Sequence, residues 1–354
     1  MLKTRILQKI TGTPNLGLLP HIKDEKNLKV GIFGWGKYKP KHDKIVLEVL
    51  SHKNQYRNIC GWAATAGSKE RDEKYLLDTR TIVCVARREG KISGDGFSSL
   101  KANEEVLHNF GIGEYGFIKK GYRNWNEYSD SKLLTPKLLS NMQKHKTDSY
   151  WEVERTDHLY KYIDEKRTIK IGIDWATGFN MKNGFKAPWI ISKIIGYIVG
   201  GHAMFVKGYD SIKKEFVVQN SFGKDWGDHG DLYIEEKWLQ KQINKYGAFV
   251  NLDIKSDIGK ILMEMDGKNV KAEGNSAVYH IQKGKKKVYP DSPSYFAYNK
   301  SFDGIELVDQ RILDEIPESD IMDIKKSVHW DLIKNLKYED VLSSLIDNYI
   351  KEKI

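Results

Sequence analysis

The sequence contains few cysteines: Cys60 and Cys84 are the two in 354 residues. The chain can therefore form at most one disulfide, and its stability cannot depend on a disulfide framework. This composition favours a protein built for a reducing compartment. Cys84 lies between Val83 and Val85, so we expect it to be a buried apolar side chain.

Long hydrophobic runs are also missing. The first 15 residues carry positive charges but lack the continuous apolar run of about seven residues that a signal peptide needs. The most apolar stretch, residues 189–199, is interrupted by Ser192 and Lys193 and is too short to cross a bilayer. We therefore expect a soluble protein with no signal peptide and no transmembrane segment.

The charge pattern argues against a nucleic-acid partner. The 58 basic and 48 acidic residues give a net charge of +10, but there is no arginine-rich arm and no nucleic-acid-binding motif. Asp228 and His229 are adjacent, but no second pair of ligands has suitable spacing, so we expect no metal site.

The order of the hydrophobic patterns predicts the fold class. Helical patterns dominate residues 41–125, with helices expected over 59–66 and 99–110. Strand patterns dominate residues 168–255. A helical half followed by a strand-rich half predicts an α+β fold.

Changes of composition divide the chain into three parts. Residues 1–40 form a polar lead-in that has no long amphipathic helix, so we expect no inhibitory segment in front of the domain. Residues 41–257 form the main domain. Residues 258–354 form a small C-terminal module with a predicted hairpin over 278–289 and an amphipathic helix over 341–350.

Four residues carry the features of thiol-based amide hydrolysis. Cys60 precedes an apolar helical run, where the helix dipole and a neighbouring imidazolium favour a thiolate. His202 lies inside an apolar strand pattern and is a candidate base. Asn220 follows in an Asn-Ser-Phe-Gly turn and can orient an imidazole. Gln55 lies just before Cys60 and can share an oxyanion hole with the Cys60 backbone N–H.

The order Gln, Cys, His, Asn and the motifs around it resemble the papain-like cysteine peptidases. The resemblance covers about residues 40–255 and is greatest to the bacterial and phage branch. It implies a two-lobed fold in which the helical lobe supplies Cys60 and Gln55, and a barrel-like strand lobe supplies His202 and Asn220. It also implies a polypeptide substrate, a thioester intermediate and no cofactor.

The same resemblance suggests where a substrate backbone would bind. The Gly94-Asp95-Gly96 segment falls where the family has a glycine-rich edge that pairs with substrate. Gly94, Gly96 and Gly201 are therefore the candidate substrate-binding residues.

The spacing around the cysteine leaves two functions open. Four residues separate Gln55 from Cys60, one fewer than in the family, and an ungapped alignment places Gly61 in the position of the nucleophile. One residue rotates a side chain by about 100° around a helix, so the two alignments are not equivalent. With Cys60 as nucleophile the chain is a cytoplasmic or virion-associated peptidase. With Gly61 there, it is an inactive binding or structural component of a virion or cell-surface assembly.

The C-terminal module resembles small modules appended to bacterial and phage surface or tail proteins. Its hairpin turn carries the basic run Lys283–Lys287, which we expect to be a solvated turn. The module is a possible docking surface for a protein assembly partner.

Overall fold

The computed structural model describes residues 16–21, 38–179, 189–252, 262, 265–272, 274–308, 310–319 and 321–322. They form two compact units, the first reaching residue 252 and the second beginning at residue 262. Within these ranges no helix combines the length and the apolar character needed to cross a membrane.

The helices of the first unit are concentrated before its long strands, as the sequence predicts. They are α1 (Cys60–Glu73), α2 (Thr79–Arg88), α3 (Leu100–Phe110), α4 (Trp125–Tyr128), α5 (Pro136–Gln143), α6 (Thr156–Asp164) and α7 (Glu236–Tyr246). The prediction missed α5, α6 and α7, which lie after the predicted helical range of residues 41–125 and have short helical patterns.

The ends of α3 follow from its sequence. The Ser99 hydroxyl accepts a hydrogen bond from the Ala102 N–H at 3.2 Å and caps the first turn. Gly111 ends the helix with a φ of 76°, and a Cβ there would lie 1.9 Å from the carbonyl oxygen of Met142. Glycine is therefore required at this position, and the predicted helix over 99–110 is confirmed.

The strands of the first unit form one eight-stranded sheet within the described residues. They are β1 (Lys44–Val46), β2 (Ser149–Glu152), β3 (Ile169–Ala176), β4 (Ile190–Ile191), β5 (Ile198–Asp210), β6 (Glu215–Gln219), β7 (Asp231–Glu235) and β8 (Ala248–Leu252). The order is β2-β8-β3-β5-β6-β7-β4, and β1 pairs with β5. All pairs are antiparallel except β4 with β7. The central strand β5 carries His202.

Helix α1 lies directly on the sheet. A Cβ at Gly67 would lie 2.8 Å from the Phe205 ring, so the helix approaches β5 at a position without a side chain. Helix α3 is joined to the neighbouring strand β3, since Lys170 Nζ of β3 donates to Glu104 Oε2 of α3 at 3.0 Å and both side chains are fully buried. Apolar packing and a buried ion pair thus fix the helices that carry the candidate site relative to β5.

The second unit contains a four-stranded sheet in the order β11-β10-β9-β12. Its elements are β9 (Asn269–Ala272), β10 (Tyr279–Gln282), β11 (Lys285–Val288), α8 (Ser292–Phe296), β12 (Ile305–Val308) and α9 (Gln310–Glu315). The predicted hairpin over 278–289 is confirmed by β10 and β11. Lys286 departs from the expected solvated turn, since it is buried and donates to the Leu313 carbonyl at 2.7 Å. The predicted helix over 341–350 lies outside the described residues.

Candidate functional site

Cys60 is the first residue of α1, and its side chain is fully buried. The thiol lies in a cluster with Leu18, Leu100, Ala203 and Tyr246. Its sulfur accepts a hydrogen bond from the backbone N–H of Gly17 at 3.3 Å and also contacts the backbone N–H of Ala203. The predicted nucleophile therefore lies at a helix N-terminus beside the residue that follows His202.

His202 and Asn220 form the predicted pair. His202 Nε2 lies 2.7 Å from Asn220 Oδ1, and the same oxygen accepts the Ser221 N–H at 2.7 Å. Because the amide oxygen of Asn220 is an acceptor, Nε2 of His202 carries the proton and Nδ1 presents a lone pair. Nδ1 is buried and has no hydrogen-bond partner. The imidazole is thus held in the tautomer that can accept a proton at Nδ1.

Aromatic rings cover the His202–Asn220 hydrogen bond. Phe222 stacks on the His202 ring at a centroid distance of 4.8 Å, and Trp175 meets it edge-on at 4.7 Å. Trp226 packs against both Phe222 and Trp175. Phe222, the aromatic residue of the Asn-Ser-Phe-Gly turn, therefore shields the His202–Asn220 pair.

Gln55 joins the loop before α1 to the turn that carries Asn220. Its backbone N–H donates to the Ser221 carbonyl at 2.8 Å, and its Oε1 accepts the Ser221 hydroxyl at 2.6 Å. Its Nε2 donates to the Arg57 carbonyl at 2.8 Å. The structure thus brings Gln55 close to Asn220, with one amide hydrogen of Gln55 bound within its own loop.

Gly61 points away from the sheet. A Cβ on Gly61 would meet Asn103 Oδ1 at 2.5 Å and Ser98 Oγ at 3.1 Å, and both residues belong to the α3 region. Cys60 instead lies on the side of α1 that contacts β5. The spacing left Cys60 and Gly61 as alternatives for the nucleophile position. Of these two residues, Cys60 is the one oriented towards the strand that carries His202.

Residues 16–21, here called the strap, lie across the candidate site. The Leu18 N–H donates to the Gly201 carbonyl at 3.1 Å, and the Leu19 N–H donates to the Ser98 carbonyl at 2.9 Å. The Ser98 N–H donates to the Gly17 carbonyl at 2.9 Å. The strap is thus an extended segment held between Ser98 and Gly201 by two isolated β-bridges of Leu18. The lead-in is not simply polar, because the side chains of Leu16 and Leu18 are buried.

The candidate substrate-binding glycines have different positions. Gly201 contributes its carbonyl to the groove. Gly94 and Gly96 have positive φ values of 62° and 121° and shape the turn before Ser98. A Cβ at Gly96 would lie 2.6 Å from Ile59, so this glycine allows the turn to approach the loop before α1. In the described groove the backbone partner on this side is Ser98 rather than Gly94 or Gly96.

Burial keeps both catalytic candidates uncharged. It raises the pKa of the Cys60 thiol, and backbone N–H groups offset this only partly. Burial lowers the pKa of His202 to about 4, although the hydrogen bond to Asn220 acts in the opposite direction. Both residues are described, and no hydrogen bond joins Cys60 Sγ to the His202 ring. At neutral pH this form therefore holds a thiol and a neutral imidazole, not a thiolate–imidazolium pair.

Metal-binding geometry is absent from the described ranges: no three His, Cys, Asp or Glu side chains in them are arranged to hold a metal ion. The side chains that cluster around Cys60 are apolar.

Sequence reasoning missed the strap and two residues near it, Asp174 and Tyr246. The Gly-Leu-Leu-Pro sequence gives only a weak signal for the strap, because Leu18 is buried but Leu19 is exposed. Asp174 Oδ1 accepts the Tyr246 hydroxyl at 2.8 Å, a contact between residues 72 positions apart that no local pattern predicts.

Comparison with known proteins supports the fold. No protein-family model matches the chain, and no curated protein matches it. Among solved structures, xylellain, a cysteine protease from Xylella fastidiosa, is 19% identical with a TM-score of 0.56, covering 67% of this chain and 96% of xylellain. The proform of the ragweed pollen cysteine protease Amb a 11 is 15% identical with a TM-score of 0.48, covering 71% of this chain and 74% of that one.

A third similar structure is digestive procathepsin L 3 of Tenebrio molitor, which is 15% identical with a TM-score of 0.47, covering 69% of this chain and 78% of that one. The similarity to xylellain, with a TM-score of 0.56 at 19% identity, concerns the fold alone. The chain therefore has an α+β papain-like fold.

Proposed function

We propose that the chain is a thiol peptidase that hydrolyses amide bonds of polypeptides, and that the described form is its latent state. The observation that carries the proposal is the His202–Asn220 pair, which leaves Nδ1 of His202 without a partner. His202 lies in β5, and the next residue of this strand, Ala203, contacts the thiol of Cys60 through its backbone N–H. A base, its orienting group and a thiol at a helix N-terminus are the parts that amide hydrolysis by a thiol needs.

The proposed reaction begins when Nδ1 of His202 removes the thiol proton of Cys60. The thiolate sulfur then forms a bond to the scissile carbonyl carbon, and the carbonyl oxygen takes the negative charge. Backbone N–H groups at the start of α1, together with the Gln55 amide, would stabilise this oxyanion. His202 next gives its proton to the leaving amine as the carbon–nitrogen bond breaks, and a thioester remains. Water, deprotonated by His202, hydrolyses the thioester and restores the thiol.

The strap accounts for latency, in contrast to the expectation that residues 1–40 contain no inhibitory segment. Gly17 donates to the sulfur of Cys60, and Leu18 fills the groove beside it, so a second peptide cannot reach the thiol while the strap is in place. The buried, uncharged thiol is a weak nucleophile, because the reactive species is the thiolate. Release of the strap would admit both substrate and water to Cys60.

One observation favours the other candidate, an inactive papain-fold binding component. Cys60 and His202 are both described, yet no hydrogen bond joins the Cys60 thiol to the His202 ring. In that case the groove would hold peptide without cleaving it. Both functions are consistent with a groove that the strap occupies. They differ in whether the chain hydrolyses peptides after the strap is released.

The experiment that separates them uses Gly17→Ala, which forces the strap out of place. Hydrolysis of a mixture of fluorogenic peptides is measured for the wild-type chain, for Gly17→Ala and for Gly17→Ala/Cys60→Ser. We expect turnover by Gly17→Ala and none by the Cys60→Ser double variant. No turnover by Gly17→Ala, with the strap shown by amide exchange to be released, would reject the peptidase and support the binding component.

A further inference from the structure

The side-chain amide of Gln55 is held at both of its ends. Its Oε1 accepts the Ser221 hydroxyl at 2.6 Å, and its Nε2 donates to the Arg57 carbonyl at 2.8 Å. A planar amide whose oxygen and nitrogen are both fixed has one orientation. The direction of the second amide hydrogen of Gln55 therefore depends on where the carbonyl of Arg57 lies.

The backbone of Arg57 has an uncommon conformation. Its φ is 57°, a left-handed value that residues with a Cβ adopt rarely and only where surrounding contacts hold it. The next residue, Asn58, donates its backbone N–H to the Asp95 carbonyl at 3.3 Å. A Cβ at Gly96 would lie 2.9 Å from the carbonyl carbon of Asn58, so the loop before α1 and the turn at residues 94–96 are in contact through their backbones.

The side chain of Arg57 makes a second link between the same loop and turn. Its Nη1 donates to Asp95 Oδ2 at 3.0 Å, and 40% of the Arg57 side chain and 23% of the Asp95 side chain are exposed. The guanidinium also lies 5.4 Å from the centre of the Tyr56 ring. Cys60 and Cys84 are both free, so the ion pair of Arg57 with Asp95, here called the clip, joins loop and turn without a disulfide.

We propose that Arg57 is a positioning residue for the oxyanion. The clip holds the Arg57 carbonyl in place, and this carbonyl fixes the orientation of the Gln55 amide. Arg57 does not touch the reacting atoms and acts through Gln55. A role in the reaction rests on the proposed peptidase function, whereas the orientation of the Gln55 amide does not depend on turnover.

The orientation of the amide can be measured without a substrate. The full chain is labelled with ¹⁵N-glutamine, and the side-chain amide signal of Gln55, assigned with Gln55→Ala, is recorded by NMR for wild type, Arg57→Gln and Asp95→Asn. We expect both clip variants to move this signal towards that of a solvated amide and to accelerate its proton exchange about tenfold or more. Arg88→Gln is the matched control and should leave the signal unchanged. Arg88 and Glu89 form an ion pair at 2.8 Å with 36% and 33% of their side chains exposed.

A double variant tests whether the two charged residues act as one contact. Arg57→Gln/Asp95→Asn should change the exchange of the Gln55 amide as much as either single variant, because each removes the same ion pair. Arg57→Lys keeps the charge and should restore part of the wild-type behaviour. Effects of the two substitutions that multiply in the double variant would show that they act separately, and would overturn the assignment of the clip.

Kinetics test whether the clip acts through Gln55. The kcat and KM for a fluorogenic peptide are measured in the Gly17→Ala background, in which the strap is released. We expect Arg57→Gln to lower kcat about tenfold or more and to change KM by less than about threefold, because an oxyanion donor acts in the transition state. In the Gly17→Ala/Gln55→Ala background the same substitution should leave kcat unchanged. A loss of equal size with and without the Gln55 side chain would overturn the proposal.

The two measurements separate this inference from the proposed function. A Gln55 signal that moves with the clip, in a chain without turnover after release of the strap, would reject the peptidase and keep the positioning of Gln55. An unchanged Gln55 signal in clip variants of a chain that hydrolyses peptides would overturn the inference and keep the peptidase. Thermal unfolding shows which variants fold, and Asp95→Asn replaces Arg57→Gln in the kinetics if the latter does not.

Discussion

The backbone N–H of Gly17 donates a hydrogen bond to the sulfur of Cys60 across 3.3 Å, although 43 positions separate the two residues. The thiol is thereby an acceptor within a covered site and not a nucleophile facing solvent. The strap that brings Gly17 there is also hydrogen-bonded to Ser98 and Gly201, one on each side of the groove. The state of the thiol therefore depends on a segment of the same compact unit that lies far upstream in the sequence.

Gly17→Ala should expose Cys60. A Cβ at Gly17 would lie 1.6 Å from the carbonyl oxygen of Asn58, and backbone atoms cannot yield by that distance. We expect alkylation of Cys60 by iodoacetamide, followed by peptide mapping, to accelerate about tenfold or more, which corresponds to about 1.4 kcal/mol of strap stability. Leu19→Ala is the matched control, because Leu19 is 37% exposed and should leave the rate unchanged. Equal rates for the two variants would show that the strap does not protect the thiol.

Acid should loosen the strap through His202. In the closed form, with the strap in place, burial lowers the pKa of His202 to about 4. Release of the strap should return this pKa towards the ordinary value of about 6.5. Between these values the released form binds more protons, so the closed form is fully favoured above about pH 6.5 and loses stability as the pH falls towards 4. The largest possible effect is about 3 kcal/mol.

The measurement is amide exchange of residues 17–19 between pH 7 and 4.5, corrected for intrinsic exchange, in wild type and His202→Gln. We expect acid to accelerate exchange more in wild type. Burial raises the pKa of Asp72 to about 6, so protonation of Asp72 favours the folded state at low pH. Global stability would therefore mix the effects of Asp72 and His202, and exchange is measured at the strap itself. An identical pH dependence in both proteins would contradict the role of His202.

Removal of one partner of the buried Lys170–Glu104 pair should strongly lower the free energy of unfolding. Both side chains are fully buried with an N···O distance of 3.0 Å. Lys170→Met leaves the Glu104 carboxylate without its ion-pair partner, and we expect the free energy of unfolding in urea to fall by about 3–5 kcal/mol. Lys170→Met/Glu104→Leu should recover most of this loss. A double variant as unstable as the single one would indicate that packing, not charge burial, sets the cost.

The sequence predicted those features of the fold and site that depend on residues close together in the chain. The Ser99 cap, Gly111 and the strand pattern of residues 169–176 predict α3 and β3, and the turn after β6 identifies Asn220 as the partner of His202. The spacing of Gln55 and Cys60 could not decide between Cys60 and Gly61. That choice depends on which face of α1 meets β5, and this is a tertiary contact. The strap escaped prediction for the same reason, because its partners are far away in sequence.

Gly61 should be intolerant of a side chain because of Asn103. A Cβ at Gly61 would lie 2.5 Å from Asn103 Oδ1, so Gly61→Ala should lower the free energy of unfolding by about 1–3 kcal/mol. Gly61→Ala/Asn103→Ala should recover part of this loss in urea unfolding. Gly121→Ala is the matched control, since a Cβ there meets nothing within 4 Å. A Gly61→Ala chain as stable as the Gly121→Ala chain would contradict the described orientation of α1.

The proposed peptidase requires that Cys60 be a nucleophile activated by His202. The measurement is the rate of labelling of Cys60 by an epoxide thiol reagent at pH 6, with peptide mapping, in Gly17→Ala and in Gly17→Ala/His202→Ala. Cys84 in the same chains serves as the internal reference, because burial raises its pKa to about 12. The account predicts fast labelling of Cys60 in Gly17→Ala that is lost with His202→Ala, while Cys84 stays unlabelled. Labelling of Cys60 at the same rate with and without His202 would contradict it.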